Sequence, residues 1–237
     1  LADPILTLFD GTGKAIASND NWIATDSTTF DSVGAFKLPA GSKDSAIVIT
    51  LPPGNYSAQA AGANGTSGAV IIEVYEVSAS TSKLINLSTR LQVTQGTTPI
   101  VGFVVGNGTG TRKMLIRAAG PALIPFGVTG TLADPALKVT TSAGAVIASN
   151  DNWSTQTNSK SIDATVMANA FLAAGAFSFT ANSTDAAVLV DLPPGLYGVQ
   201  LTSAVPTNSG VAIVEAYDLT QSDLPTVTIS ASKPTAD

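Results

Sequence analysis

The stretch LADPILTLFDGTGKAIASNDNW (residues 1–22) recurs without a gap as LADPALKVTTSAGAVIASNDNW (residues 132–153). Both copies contain the same heptapeptide, IASNDNW, after a short turn sequence rich in Gly, Ser and Thr. Self-similarity of this length indicates a duplicated structural module rather than two independent loops. The heptapeptide is therefore repeated because the module is repeated, and we expect its polar residues to close a hairpin ahead of a buried tryptophan.

The duplication continues beyond the tryptophans. After an insertion in the second copy, VGAFKLPAGSKDSAIVITLPPGNYSAQ (33–59) matches AGAFSFTANSTDAAVLVDLPPGLYGVQ (174–200). The copies end alike, in GAVIIEVYEV (68–77) and GVAIVEAYDL (210–219). These matches make the second copy a complete module.

The first copy lacks a segment that the second copy contains. It begins at Leu1, and nothing in it corresponds to residues 83–130, which precede the match in the second copy. We expect an incomplete first β-sandwich repeat at 1–78 and a complete second repeat at 79–219. Residues 220–237 are expected to be a linker or a donor strand leading to a further β-domain, so the chain should be part of something longer.

Local patterns favour strands over helices. Short apolar runs alternate with Gly, Pro, Asn and Ser turns, which is typical of strands. They predict strands at 5–9, 15–18, 46–51, 56–60, 70–77, 85–93, 100–105 and 113–118, and GNGTGT (106–111) predicts a hairpin between the last two. Only residues 162–172 have helical spacing. The prediction is an all-β fold of tandem antiparallel, jelly-roll-like β-sandwich modules.

Composition excludes several classes of function. The chain has 237 residues, a net charge of −6, and neither Cys nor His, so disulfides, thiol chemistry and Cys/His metal sites are excluded. Its densest basic spot, Arg112, Lys113 and Arg117, is too small for a nucleic-acid site. No apolar run reaches the roughly 18–20 residues that span a bilayer, so no membrane insertion is expected.

Six sequence motifs of the module carry a resemblance to known proteins. They are LINLSTRLQV, IVGFVVGNGTGTRKMLIRAAGPALIPFGVTG, LADPALKV, IASNDNW, LPPGLYGVQL and GVAIVEAYDL. Together they resemble a repeat module of very large secreted bacterial surface proteins. More distantly, the chain looks like the bacterial pre-peptidase C-terminal domain, a β-sandwich. The tail LPTVTISASKPTAD (224–237) is similar to the first strand of a Calx-beta domain. The resemblance implies an accessory, extracellular role.

Asp20 and Asp151, within the heptapeptides, are the best metal candidates. Asn and Asp oxygens can bind calcium, although the spacing is not that of an EF-hand loop. The same residues also form Asx-turns that bond their own backbone. The turn is the favoured interpretation, calcium is the alternative, and no other cofactor is expected.

Trp22 and Trp153 are the only tryptophans in the chain. An exposed indole would stack on a sugar ring, whereas a buried one would plug the end of its sandwich. The plug is favoured, and carbohydrate binding is kept as the alternative.

Nothing in the sequence assembles a catalytic site. Without His and Cys, the usual base and thiol nucleophile are missing. Glu73 and Glu215 occupy matched positions, where a nearby Lys and Asn would permit an isopeptide crosslink, but a surface Glu beside a tyrosine is the simpler interpretation. We therefore do not expect an enzyme.

The function expected from the sequence is mechanical or adhesive. Other copies of the chain, or neighbouring β-domains, would be bound through edge strands, with residues 85–93 and 227–231 as candidate donors. A passive spacer and a fibre subunit remain open as versions of this reading. The alternative is a carbohydrate- or calcium-binding accessory domain of a large secreted protein.

Overall fold

The computed structural model describes residues 1–77, 83–106, 109–155 and 163–220. Two compact units divide the chain, Leu1–Leu84 (unit 1) and Ile85–Asp237 (unit 2). In the described ranges, the named strands form one three-stranded and two four-stranded sheets, and every pair of them is antiparallel. The all-β prediction is confirmed. The predicted donor at 227–231 and the rest of the tail lie outside the described residues.

Unit 1 is built on a single described sheet. Its strands are β1 (Pro4–Asp10), β2 (Ala15–Asn19) and β3 (Tyr56–Gly62), in the order β2-β1-β3. A short helix, α1 (Ser27–Val33), lies between β2 and β3 and ends at Gly34 in the left-handed region, at φ 70°. Glycine adopts this conformation without a steric cost.

Unit 2 is a sandwich of two four-stranded sheets. One sheet has the order β5-β10-β7-β8 and the other β4-β11-β6-β9. The strands are β4 (Asn86–Val93), β5 (Ile100–Val105), β6 (Arg112–Ala119), β7 (Pro135–Thr141), β8 (Val146–Asn150), β9 (Ala186–Leu192), β10 (Gly195–Ser203) and β11 (Gly210–Asp218).

Strand β6 is buried on both faces. Met114 and Ile116 point into the main core between the two sheets. Leu115 and Ala119 point the other way, into a second apolar cluster. Alternating side chains reach opposite faces of a strand, so a strand covered on both sides becomes apolar throughout.

Helix α2 (Ala164–Ala173) contributes to this second cluster through Met167, Ala170 and Phe171. It confirms the helix predicted at 162–172, although Ile162 lies outside the described residues. The Asp163 side chain caps it by accepting a hydrogen bond from the Val166 N–H at 2.8 Å. Helix α1 was not predicted, because its sequence STTFDSV is short and mostly polar.

The predicted hairpin between β5 and β6 is wrong. Strand β5 pairs with β10, whereas β6 pairs with β11 and β9 in the opposite sheet. The chain therefore crosses from one sheet to the other here. A Gly-rich loop indicates that the chain changes direction, but it does not indicate with which strand the following strand will pair.

Two predicted strands of unit 1 are absent from the structure. Residues 46–51 and 70–77 are described and form no strand, although their matches in unit 2 are β9 and β11. In unit 2 both of those strands pair with β6, which has no counterpart in the first copy. We call residues 46–51 and 70–77 the unpaired segments.

Candidate functional site

The heptapeptide forms a strand and its polar exit, not the hairpin turn. In both copies the turn lies just before it, where the Gly13 N–H donates to Asp10 at 3.0 Å and the Gly144 N–H donates to Thr141 at 2.9 Å. The heptapeptide itself supplies β2 or β8. The predicted strands at 5–9 and 15–18 are confirmed, and the heptapeptide completes the hairpin as its second strand rather than as its turn.

The asparagine that ends each of these strands braces the loop after it. The Asn150 amide donates to the carbonyls of Asn152 at 3.0 Å and Thr155 at 2.8 Å, and its oxygen accepts from the Ala187 N–H at 3.0 Å. Asn19 repeats this arrangement with Asn21 and with the Ala46 N–H. The repeated polar residues therefore have a structural use in both units.

The two tryptophans differ in burial. The Trp153 side chain is 6% exposed, packs against Phe171 and Phe179, and donates its indole N–H to the Thr180 carbonyl. Trp22 is half-buried, lies 5.8 Å from Phe30, and donates to the Ser42 hydroxyl. Trp153 thus lacks the open ring face that sugar stacking requires, whereas a sugar-binding role for Trp22 stays a prediction.

The calcium candidates have different neighbours in the two units. In unit 1 the Lys43 ammonium lies 2.6 Å from Asp3, and its pKa is raised by this bond and then by the charges of Asp3 and Asp20. In unit 2 Thr184 takes the place of Lys43 and donates to the Ala133 carbonyl instead. The charge of Asp20 therefore acts on a lysine, whereas the residue that matches this lysine in unit 2 is an uncharged threonine.

Asp134, the match of Asp3, lies near Asp151. Burial, and then the charge of Asp151, raises the pKa of Asp134, and one of its carboxylate oxygens is buried without a hydrogen-bond partner. Among the described residues, no group of three or more His, Cys, Asp or Glu side chains comes together. Calcium binding at Asp20 or Asp151 therefore remains a prediction.

Asp134→Asn should stabilise unit 2 at pH 7. A raised carboxyl pKa means that ionisation opposes folding, so the penalty is absent below the unfolded-state pKa and develops as the pH rises through the folded-state value. The variant should unfold at a higher temperature than wild type at pH 7, with little difference near pH 3. Asp3→Asn is the matched control and should be neutral or destabilising. Equal unfolding of Asp134→Asn and wild type at pH 7 would contradict this account.

The most tightly built polar cluster is centred on Arg117. Its side chain is fully buried, and it donates from both Nε and Nη2 to one oxygen of Glu215, which is also buried. The Tyr217 hydroxyl donates to the other Glu215 oxygen at 2.8 Å. Burial, and then the Glu215 charge, raises the pKa of Tyr217, so this hydroxyl stays protonated as a donor.

Aromatic rings surround the guanidinium. The Arg117 Cζ lies 4.3 Å from the ring centre of Phe179, 4.4 Å from Phe177 and 4.8 Å from Phe171. A desolvated cation over aromatic faces is attracted by their quadrupoles. Arg117 therefore joins β6 to β11 through Glu215 and joins both strands to the aromatic cover.

The surface interpretation of Glu215 is wrong. Its carboxylate is buried and held by Arg117 and Tyr217, so this glutamate neutralises a core cation. Sequence reasoning had placed Arg117 only in a small basic spot. The signal for its role was its position in KMLIRAA, where an arginine interrupts a strand that is apolar on both faces.

Asp185 forms a second anchor in unit 2. It is fully buried, and one oxygen accepts from the N–H groups of Gly120 at 2.7 Å and Ala122 at 3.2 Å. The other oxygen accepts from the Ser183 hydroxyl. Asp185 thus holds the start of the loop that follows β6.

Unit 1 contains residues that match Glu215, Tyr217 and Asp185, but residues 1–84 contain no match to β6, the strand that bears Arg117. Glu73, Tyr75 and Asp44 match Glu215, Tyr217 and Asp185. Partial burial raises the pKa of Tyr75, followed by the charge of Glu73 and a hydrogen bond between the two side chains. Tyr75 is 39% exposed, whereas Tyr217 is 8% exposed. The pairing partner, not the local sequence, is what differs between the units.

No protein-family model, curated protein or solved structure matches this chain. In the part of the chain that the structure describes, no helix is long and apolar enough to cross a membrane.

Proposed function

We propose that this chain is a non-enzymatic structural module of a bacterial surface protein. It acts outside the cell in fibre assembly or adhesion, through β-sandwich repeats that are completed by added strands. The resemblance to repeat modules of large secreted proteins supports the extracellular location. The mechanical role is supported by the contrast between the two units.

One observation carries the proposal. Matched residues differ in exposure, since Ile72 and Val77 are 43% and 52% exposed while Val214 and Leu219 are 1% and 7% exposed. Other exposed apolar side chains in the unpaired segments are Val48, Ile49, Val70, Ile71 and Val74. An apolar surface beside unpaired strand-forming backbone is a template for association with another segment.

The polar clusters support a structural rather than a catalytic role. In unit 2 the acidic residues with the deepest burial, Glu215 and Asp185, are fully engaged with Arg117, Tyr217 and backbone N–H groups. Their geometry holds strands together. Carbohydrate binding is less well supported, because the indole of Trp153 is buried.

The test is the native mass of the intact chain over a range of concentrations, by light scattering, with negative-stain images of the same samples. We expect species that grow with concentration and are open-ended or filamentous, because buried strand addition gives long-lived contacts. A constant mass of 23.8 kDa at every concentration would contradict self-assembly.

A further inference from the structure

Unit 2 shows which strand pairs with the matches of both unpaired segments. In unit 2, β6 lies between β11 and β9, with Arg117 opposite Glu215 on one side and opposite Ala187 on the other. The corresponding residues of unit 1 are Glu73 and Ala46, one in each unpaired segment. The internal duplication therefore specifies the position and the register of a strand that would pair with both unpaired segments.

The charge at this position is also specified. The sequence of unit 1 contains no arginine, and the three arginines of the chain lie at positions 90, 112 and 117. Two of the lysines of unit 1 pair with aspartates, Lys37 with Asp31 and Lys43 with Asp3. Glu73 is thus an acidic group whose counterpart in unit 2 holds a buried guanidinium.

The aromatic cover of that guanidinium is repeated in part. Phe30 and Phe36 match Phe171 and Phe177, and Phe36 is 58% exposed, whereas Leu38 matches Phe179. Asp44 matches Asp185, which binds the two N–H groups just after β6. The matched set in unit 1 fits a strand that carries an arginine and then turns sharply.

We propose that the unpaired segments of unit 1 bind a partner β-strand of the β6 type, which inserts between them and places an arginine against Glu73. The strand is apolar on both faces, as in KMLIRAA, and its following turn donates backbone N–H groups to Asp44. This inference rests on the proposed function and names the chemistry of the partner. The guanidinium makes recognition selective, because a buried Glu73 carboxylate left without a cation disfavours strands that lack one.

The two donors predicted from the sequence fit this chemistry less well. Residues 85–93 contain β4, which already pairs with β11 along its whole length in unit 2. The face of β4 that bears Arg90 is otherwise polar, with Ser88 and Gln92. The tail around 227–231 lies outside the described residues, and its sequence carries Lys233 but no arginine.

The experiment is a graft within the intact chain. Residues 85–131 run directly into Leu132, the match of Leu1, so a second copy of 85–131 is placed ahead of Leu1. Backbone hydrogen exchange is followed at residues 70–77 by mass spectrometry. We expect exchange there to slow by about a hundredfold or more, as for amides that enter a stable sheet, and concentration-dependent association to fall.

Variants of the graft test the arginine. Replacing the graft's equivalent of Arg117, as Arg117→Ala, should remove most of this protection, and Arg117→Lys should restore only part of it, because lysine lacks the planar fork. Arg112→Ala in the graft is the matched control and should leave protection unchanged. Each variant is read at 70–77 while the original unit 2 serves as an internal reference.

Three outcomes separate the inference from the proposed function. Protection that depends on the Arg117 equivalent supports the inference. Protection that is equal with and without this arginine overturns the proposed recognition while strand completion stands. Fast exchange at 70–77 in every graft overturns the inference. If association of the ungrafted chain is then lost on removal of residues 221–237, assembly is assigned to that segment.

Discussion

Arg117→Ala is expected to destabilise unit 2 by about 3–5 kcal/mol, because the substitution leaves the buried Glu215 carboxylate without its cation. It also removes the side chain that Phe171, Phe177 and Phe179 enclose. Denaturant unfolding in a Trp22→Phe background measures the effect, since Trp153 then reports on unit 2 alone. Coincidence with an independent probe such as circular dichroism checks that the transition is two-state.

Two further variants distinguish loss of an ion pair from loss of volume. Arg117→Met with Glu215→Gln removes both charges and keeps an acceptor for Tyr217, so it should recover much of the lost stability. Arg112→Ala removes a half-exposed arginine whose Nη1 lies 3.4 Å from Asp218, and it should cost no more than about 1 kcal/mol. Equal effects of Arg117→Ala and Arg112→Ala would refute the buried role of Arg117.

Trp153→Ala is the second large expected effect, at about 3–5 kcal/mol, because it opens a cavity in a packed core. The lost contacts are those with Phe171 and Phe179, together with the hydrogen bond to the Thr180 carbonyl. Hydrogen exchange at β9 and β11 localises the loss to unit 2. A residue-specific readout is needed because the substitution removes the fluorescent probe.

Trp22→Ala is the matched substitution in unit 1. It should cost clearly less, because the indole is half-buried and packs against Phe30, whereas Trp153 packs against both Phe171 and Phe179. Trp153→Phe should retain more stability than Trp153→Ala, since it keeps most of the apolar volume. A Trp153→Ala variant with unchanged stability and lost binding on a glycan array would contradict the end-plug role and support the carbohydrate alternative.

The β-sandwich fold was predictable because the sequence patterns that indicate its strands and turns are local and occur in both copies of the repeat. Alternating strands, the turns before IASNDNW and the Pro-Pro-Gly stops lie within a few residues of the elements that they define. These features predict the all-β architecture that the structure shows.

Strand pairing was less predictable, because it depends on residues far away in the chain. Residues 70–77 have the same alternation as β11, yet only β11 has β6 beside it. Hydrogen bonding to a neighbour, not propensity, turns such a run into a strand. The apolar pattern therefore predicted a strand correctly in unit 2 and wrongly in unit 1.

The Arg117 cluster was missed for a related reason. Arg117 and Glu215 are separated by 98 residues, so no short pattern joins them. A charged residue is usually exposed, and the nearby Arg112 and Lys113 made a surface patch the simpler interpretation. The apolar neighbours of Arg117 on the same strand were the usable sign of burial.

The most direct test of the central claim is amide hydrogen exchange on the intact chain at low concentration, comparing residues 70–77 with their match β11. We predict that residues 70–77 exchange quickly while β11 stays protected, and that protection at 70–77 appears when the chain associates. Equal protection of the two segments in a dilute monomer would contradict the proposal that residues 70–77 stay unpaired until unit 1 binds a partner strand.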